Sequence, residues 1–272
     1  SATLPFSVSN PTYPDIAITP HQLLSHTSSI KDNWSVLNDH YFDGDAPITL
    51  EEYLEDYFTE GSALYDADRN FYSEEPSEAY HYSNIGSATA ALLIEHYTKS
   101  DFSDWCNQHI FDPLGMSNTG WFLSDFDEDL VAMPYLYHPK KDEWISYGHY
   151  GYPDYPDGQL RASANDLALF LATMSQGGVY QGVRVLEEKS VEMVLSPSIP
   201  KIDETQGLIW YWYDWLGSTW YGHNGADWGV TTEMMFRKED GLGIVVMVNG
   251  EINNKNLFYQ TEARLIAEAE KY

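Results

Sequence analysis

Three short segments carry residue types that could transfer a proton or stabilise an oxyanion. Tyr82 and Asn84 lie two residues apart, just before the clearest helix pattern, and can point into one cleft if the segment is extended or turned. Segment 222–226 (GHNGA) follows a strand pattern, where a glycine lets a substrate approach the backbone and the next N–H can face a developing oxyanion. Segment 156–160 (PDGQL) leads into a capped helix. Taken singly, each segment is also typical of an ordinary turn or strand end.

The elements that position these segments follow from hydrophobic periodicity. The spacing predicts a short turn over residues 21–26 and helices at 84–97, 101–111, 164–175, 187–195 and 253–272, and the Thr49–Glu52 pair predicts a capping box before another helix. After about residue 200 the period changes to two, which predicts strands at 208–213, 219–223, 230–237 and 243–249. We therefore predict an α+β fold in which a mostly helical region (1–200) precedes an antiparallel sheet with a C-terminal helix (201–272).

Composition excludes several classes of function. The 272 residues include 14 Lys and Arg against 42 Asp and Glu, a formal charge of −28, which repels the phosphates of nucleic acids and anionic membranes. The single cysteine excludes an internal disulfide, and the longest apolar runs are too short to span a bilayer. The charge favours a solvated surface of a periplasmic, secreted or salt-exposed protein. The alternative is an acidic funnel for cationic substrates.

Neither a metal nor an organic cofactor is predicted. Segments 66–77 and 125–136 begin like calcium loops, but each lacks the central glycine and the final glutamate. His21 and His26 lie five residues apart without a third ligand, which favours a structural role for both. The chain also contains no phosphate loop and no His-Glu-x-x-His motif.

The order of five segments carries more information than any one of them. They are residues 18–28 (ITPHQLLSHTS), 82–86 (YSNIG), 109–119 (HIFDPLGMSNT), 157–167 (DGQLRASANDL) and 223–225 (HNG). This series resembles the serine β-lactamase-like family, which groups class C β-lactamases, D-Ala-D-Ala carboxypeptidases, D-aminopeptidases and related esterases. The resemblance covers most of residues 4–250 and implies the β-lactamase/transpeptidase-like fold.

The resemblance implies acyl transfer to a serine, and it gives roles to residues of this chain. Tyr82 would shuttle the proton, which requires positive charge nearby from a lysine and from His223, since an unperturbed tyrosine titrates near pH 10. Asn84 would hydrogen-bond that lysine and the acyl amide of the substrate. His223 would steady the tyrosine or a substrate carboxylate, Gly225 would admit the substrate, and the Ala226 N–H would be one oxyanion donor.

The substrate-binding residues are expected to be Asn224, Gly225 and Trp228. Trp228 is the best candidate to line the site among the aromatic residues around this strand, and at least half of the others are expected to be packing. Because His223 stands where β-lactamases carry a lysine, the resemblance favours small esters or D-amino-acid peptides as substrates over β-lactams.

The family's Ser-x-x-Lys motif, which would lie upstream of residue 18, is the main departure. Two matches occur at 28–31 and 198–201, and we reject both because each position already has another place in the family pattern. We therefore expect the nucleophile and two sheet strands to be missing and this polypeptide to be inactive by itself. Strand 243–249 would then expose an apolar edge, open to self-association or to a complementing N-terminal segment.

Two other classes of function stay open. A binding or scaffolding relative on the same fold would also lack the nucleophile. Exposed aromatic residues beside many carboxylates are typical of carbohydrate-binding proteins and glycosidases, although no carboxylate pair stands out.

Overall fold

The computed structural model describes residues 4–252 and 254–271, and it is an α+β structure in which most helices precede a four-stranded antiparallel sheet. The helices are α1 (Pro20–Leu24), α2 (Trp34–Asn38), α3 (Leu50–Phe58), α4 (Asn84–Thr98), α5 (Phe102–Cys106), α6 (Asp112–Leu114), α7 (Ala164–Ser175), α8 (Glu188–Val194) and α9 (Lys255–Ala269). The strands of the sheet are β9 (Tyr211–Trp215), β10 (Ser218–Asp227), β11 (Val230–Arg237) and β12 (Gly243–Val248). Short ladders join β1 (Phe42–Asp43) to β5 (Tyr150–Gly151), β2 (Thr119–Gly120) to β6 (Arg161–Ala162), β3 (Tyr135–His138) to β4 (Glu143–Ser146), and β7 (Val179–Tyr180) to β8 (Val183–Arg184).

The sheet has the order β12-β11-β10-β9, and each strand is antiparallel to its neighbour. The strand predicted at 230–237 has the expected bounds, but the one predicted at 208–213 lies later, at Tyr211–Trp215. The strand predicted at 219–223 continues to Asp227, because pairing with β11 runs on through Gly225. β10 therefore carries the whole GHNGA segment.

Side-chain caps set most helix starts. The Ser83 hydroxyl accepts the N–H of Gly86, so α4 begins at Asn84 as predicted, and the predicted capping box precedes α3. The turn predicted over 21–26 is wrong, because Thr19 and Gln22 form a second capping box and α1 runs from Pro20 to Leu24. Residues 253 and 272 of the predicted last helix lie outside the described residues.

The helix predicted at 101–111 is also different in detail. α5 passes into a wider π-helical turn at Asn107–Phe111 and then into α6, which ends at Leu114 and is capped by Gly115 with φ of 72°. Pro113 has no N–H to bond the preceding turn, which accounts for the change in helical geometry before it.

Helices cover both faces of the sheet. Leu171 and Met174 of α7 pack with Phe236 on one face, and Ile266 of α9 packs with Met235 on the other. The largest core cluster lies among α1, α3 and α4, and Phe170 joins it to the cluster on the α7 face of the sheet. The division of the chain at residue 200 stays a prediction.

β12 is an edge strand, since β11 is the one strand that pairs with it among the residues described. The expected edge is unpaired, but its side chains are not exposed, because α9 covers Ile244 and Val246, which are 7 % and 9 % exposed. The backbone on its outer side is free for pairing. Within the described ranges, no helix combines the length and hydropathy needed to cross a membrane.

Candidate active site

A buried carboxylate fixes the Tyr82-Ser83-Asn84 segment at the start of α4. Asp32, 8 % exposed, accepts the Ser83 hydroxyl at 3.0 Å, the Asn84 N–H at 3.0 Å and the Ile85 N–H at 3.2 Å. The first N–H groups of a helix lack intrahelical partners and favour a negative charge, so the position suits a carboxylate. Sequence reasoning missed Asp32, because nothing in local spacing links it to a segment about fifty positions away.

His26 lies directly beside Tyr82. It is 1 % exposed, its backbone φ is 56°, its Nδ1 accepts the Ser83 N–H at 3.2 Å, and the two ring centroids are 4.4 Å apart. Because Nδ1 accepts, the proton of the neutral ring is on Nε2, which has no hydrogen-bond partner in the part of the chain described. Burial and the nearby His223 lower the pKa of His26 to about 4. His26 thus packs as a neutral ring at the site.

The Tyr82 ring lies between two imidazoles and is 42 % exposed. Its ring centroid is 6.3 Å from that of His223. Burial, followed by the carboxyl groups of Asp157 and Asp32, raises the pKa of Tyr82 above its ordinary value, so the side chain is a phenol at neutral pH. The expectation that His223 supplies positive charge is wrong, because burial lowers the pKa of His223 as well.

β10 directs alternate residues to the two faces of the sheet. His223 pairs with Met234 and projects toward the α7 face, where Tyr82 lies, and Gly225 and Asp227 share that face. The distance from His223 Nδ1 to the Asn224 carbonyl is 2.6 Å, which leaves Nε2 as the free acceptor. Over Gly225, a Cβ would come within 2.5 Å of the Thr232 hydroxyl.

The backbone of β10 also alternates between two edges. Asp227 and Val230 flank the two-residue turn at Trp228 and Gly229, so they form a hydrogen-bonded pair. The Ala226 N–H therefore points to the opposite edge, as does the N–H of Asn224. On that side β9 begins only opposite Gly222, so among the described strands nothing pairs with the Ala226 N–H. This direction suits an oxyanion donor.

Trp228 lies at the end of β10 and is 38 % exposed. Its ring stacks on Tyr41 with centroids 4.2 Å apart and an angle of 21° between the planes. The Tyr41 hydroxyl donates to Asp227 at 2.9 Å, and the Trp228 N–H donates to the same carboxyl at 2.7 Å. Of the aromatic residues near this strand, Trp210 and Trp220 are core residues at 7 % and 0 % exposed.

The sequence of the chain matches the model of a known protein family. A family model described as "Beta-lactamase" matches residues 2–269. The chain belongs to the beta-lactamase family. The predicted resemblance and the predicted α+β class are thereby confirmed. Among curated proteins, penicillin-binding protein 4* of Bacillus subtilis (strain 168) is 27% identical over 140 residues, which make up 50% of this chain and 29% of that protein.

Solved structures of the same fold superpose over most of the chain. The D-amino acid amidase from Ochrobactrum anthropi SV3, complexed with D-phenylalanine, has a TM-score of 0.71 at 20% identity and covers 96% of this chain and 74% of its own. The octameric penicillin-binding protein homologue from Pyrococcus abyssi has a TM-score of 0.68 at 22% identity, over 90% of this chain and 57% of its own. The chain spans between 23% and 58% of the length of the curated relatives that it matches.

Within this hydrolase family, the two Ser-x-x-Lys matches of the chain do not form a serine–lysine pair. Ser28 is 2 % exposed and accepts the Ile30 N–H at 3.3 Å, while the Lys31 ammonium lies 3.4 Å from the Asp68 carbonyl. The Ser198 hydroxyl donates to the Gly207 carbonyl at 2.8 Å. No hydrogen bond between described residues joins either serine to its lysine. This arrangement supports the rejection of both as nucleophiles.

Proposed function

We propose that the chain supplies the proton-transfer and oxyanion part of a serine-hydrolase site that cleaves small esters or D-amino-acid peptides and amides. The nucleophilic serine and its lysine would come from polypeptide outside this sequence. The observation that carries the proposal is the position of Tyr82, whose ring faces His223 on the strand that turns the Ala226 N–H toward an open edge. The D-amino acid amidase among the structural neighbours supports the substrate class.

The proposed reaction assigns one task to each group. The serine oxygen attacks the carbonyl carbon while its proton passes to the Tyr82 oxygen, and the Ala226 N–H donates to the oxyanion. Collapse of the tetrahedral intermediate expels the alcohol or amine, which takes the proton back from Tyr82. Water then hydrolyses the acyl ester by the same route. Tyr82 must start as a phenolate, so a lysine ammonium beside it is required to offset the raised pKa described above.

Asn84 would hold that lysine and the acyl amide of the substrate. Its backbone N–H donates to Asp32, which fixes the position from which the side chain projects. Asn224, Gly225 and Trp228 would line the substrate along the open edge of β10. The exposure of Trp228 supports this placement.

A fluorophosphonate probe tests the proposal, since it reacts with an activated serine whatever the leaving group. We expect no adduct on this chain alone and a stoichiometric adduct on a longer version with the upstream polypeptide. In the longer version, Tyr82→Phe should lower the labelling rate by about a hundredfold or more. Tyr97→Phe is the matched control, because Tyr97 is 81 % exposed and takes no part in the site.

Each failure has a distinct meaning. Labelling of this chain alone would contradict the external nucleophile. Absence of labelling in the longer version would overturn the enzyme and favour the non-catalytic binding relative.

We further propose that the outer edge of β12 pairs with another strand, either of the upstream polypeptide or of a second copy. The homologue from Pyrococcus abyssi is an octamer, which supports association on this fold. The molar mass of the chain in solution tests the second copy: a monomer would leave the upstream segment as the partner.

A further inference from the structure

Two buried carboxyl groups lie where α9 packs on the sheet. Glu233 is two residues before Met235 in β11, so both side chains are on the same face of the sheet. Glu262 is four residues before Ile266 in α9, so it lies one turn earlier on the same side of the helix. Met235 and Ile266 pack in one core cluster. The two carboxyl groups therefore lie at the same interface between α9 and β11.

Both carboxyl groups lack a partner in the part of the chain that is described. Glu233 is 6 % exposed and Glu262 is 1 % exposed, and one oxygen of each is buried without a hydrogen-bond partner in residues 4–252 and 254–271. No basic side chain of these ranges forms an ion pair with either group. Two buried carboxylates without donors repel each other strongly, because the interior has a low dielectric constant. A proton on one group removes this repulsion and gives the other a donor.

The other charged groups near this interface are engaged elsewhere. Arg237 of β11 donates to Asp240 at 2.8 Å and to Glu270 of α9 at 2.7 Å, and the Tyr213 hydroxyl of β9 donates to the Met235 sulfur at 2.9 Å. Among the described strands, β10 and β12 present no titratable side chain to this face, and the other charged residues of α9 are exposed. The remaining titratable side chains on this side are Tyr211 of β9 and Tyr259 of α9. Protonation therefore decides the charge of the pair.

The protonation of the pair changes in the neutral range. Burial, followed by the neighbouring Glu262, raises the pKa of Glu233 to about 8, and burial raises the pKa of Glu262 to about 7. Both values lie above the usual 4.5, so the packed arrangement is fully favoured below pH 4.5 and loses this advantage as the pH rises from 7 through 8.

Few buried side chains hold α9 on the sheet. Of its 15 residues, those that are buried are Glu262 and Ile266, so one of the two is a carboxyl group. A helix with so few buried apolar contacts can open locally while the rest of the protein stays folded. Opening uncovers Ile244 and Val246, which α9 covers in the packed form, beside the free outer edge of β12.

We infer that α9 is a pH-dependent cover of the sheet, which stays packed while Glu233 and Glu262 hold a proton and opens when both are ionised. The inference is independent of the proposed function, because neither residue takes part in the proposed proton transfer. In the open form β12 presents an apolar face together with an unpaired edge, and such a strand is open to pairing with another polypeptide.

Hydrogen exchange of this chain tests the inference. The protection of the α9 amides is compared with that of the α7 amides at pH 6 and pH 9, with labelling times scaled to the intrinsic exchange rate at each pH. α7 packs on the opposite face of the sheet and serves as the internal reference. We expect α9 to lose protection by at least about tenfold relative to α7 between the two pH values.

Two results of this comparison would overturn the inference. Equal losses in both helices would show a general loss of stability instead of the opening of α9. Unchanged protection of α9 would show that the helix stays packed when the carboxyl groups ionise.

Substitutions assign the response to the pair. When Glu233→Gln and Glu262→Gln are combined, neither side chain ionises, so α9 should keep its protection within about twofold from pH 6 to pH 9. Each single substitution leaves one carboxyl group and should reduce the loss to about threefold. Glu268→Gln is the matched control, because Glu268 is an exposed carboxylate of the same helix, and it should show the full loss.

Circular dichroism checks that each variant is folded, and the single variants keep the test decisive if the double variant is not. A full loss of α9 protection in the double variant or, failing that, in both single variants would assign the response to another group and overturn the inference.

Discussion

Carboxyl groups on the two faces of the sheet differ in whether they have hydrogen-bond donors. On the α7 face, Asp227 accepts hydrogen bonds from Tyr41 and Trp228, and Asp32 nearby accepts three. On the α9 face, Glu233 and Glu262 are 6 % and 1 % exposed, and one oxygen of each has no donor among the described residues. Donors therefore decide whether a buried carboxyl group fixes a site or is only tolerated.

The protonation of the α9 pair follows from this difference. Burial, and for Glu233 also its neighbour Glu262, raises the pKa of Glu233 to about 8, and burial raises that of Glu262 to about 7. Both groups thus tend to hold a proton near neutral pH. On the α7 face hydrogen bonds hold the carboxyl groups in place, whereas the α9 pair lacks such donors and titrates near neutral pH.

The two faces of the sheet also differ in the space that they leave above two glycines of β10, and this difference gives the largest expected effect. A Cβ on Gly222, which faces α9, would lie 2.1 Å from the Met234 carbonyl oxygen and 2.8 Å from the Met235 Cα, so backbone would have to move. A Cβ on Gly225 would meet only the Thr232 hydroxyl, which can rotate away. We expect Gly222→Ala to lower the free energy of unfolding by about 3 kcal/mol and Gly225→Ala by about 1 kcal/mol. Urea denaturation measures both losses. Equal losses would show that the two faces do not differ in the space available for a Cβ.

Removal of Asp32 should have the next largest effect. Asp32→Ala leaves the Ser83 hydroxyl and two N–H groups of α4 without an acceptor, so we expect a loss of about 2 kcal/mol in the free energy of unfolding. Asp129→Ala, at an exposed site, should change it little. If the two variants unfold at the same urea concentration, Asp32 does not fix the segment.

The α9 face should respond to pH. The folded pKa of Glu233 lies above its usual 4.5, so its contribution to stability is complete below pH 4.5 and is lost as the pH rises through 8. Glu233→Gln removes that titration and can donate to Glu262, so at pH 9 we expect it to raise the free energy of unfolding by about 1.5 kcal/mol relative to wild type. The gain should vanish at pH 5. Glu60→Gln, at an exposed site, should show no difference between the two pH values.

The smallest effect concerns a single hydrogen-bond donor to Asp227. Tyr41→Phe removes the 2.9 Å hydrogen bond to Asp227 but keeps the ring stacked on Trp228, and the Trp228 N–H still serves the carboxyl group. We expect a loss of about 0.5–1 kcal/mol in the free energy of unfolding. A loss as large as that of Asp32→Ala would show that Asp227 depends on this one donor.

Local patterns predicted the elements better than the site. The Ser83 cap, the Thr49–Glu52 capping box and the strand at 230–237 are decided by neighbours in sequence, and the structure has all three. The extension of β10 past His223 was missed, because a glycine near a strand end is ambiguous until its partner strand is known.

The positions of the site residues depend on contacts between distant segments. The resemblance pointed to Tyr82, Asn84 and His223, and the structure brings Tyr82 and His223 together across about 140 positions of chain. Asp32 and His26 act on the same segment from more than fifty positions away, and no periodicity reports such a pair. The protonation state of Tyr82 could likewise not be predicted from the sequence, since it depends on burial and on Asp157.

The unpaired outer edge of β12 has a consequence for hydrogen exchange. The Arg237 N–H bonds to the Leu242 carbonyl, so the alternation of the ladder turns the amides of Ile244 and Val246 toward β11 and those of Val245 and Met247 outward. In the chain alone, slow and fast exchange should therefore alternate along this one strand. Any polypeptide that docks on the edge would slow the second set alone, so four amides report whether the strand has a neighbour, before the identity of that neighbour is known.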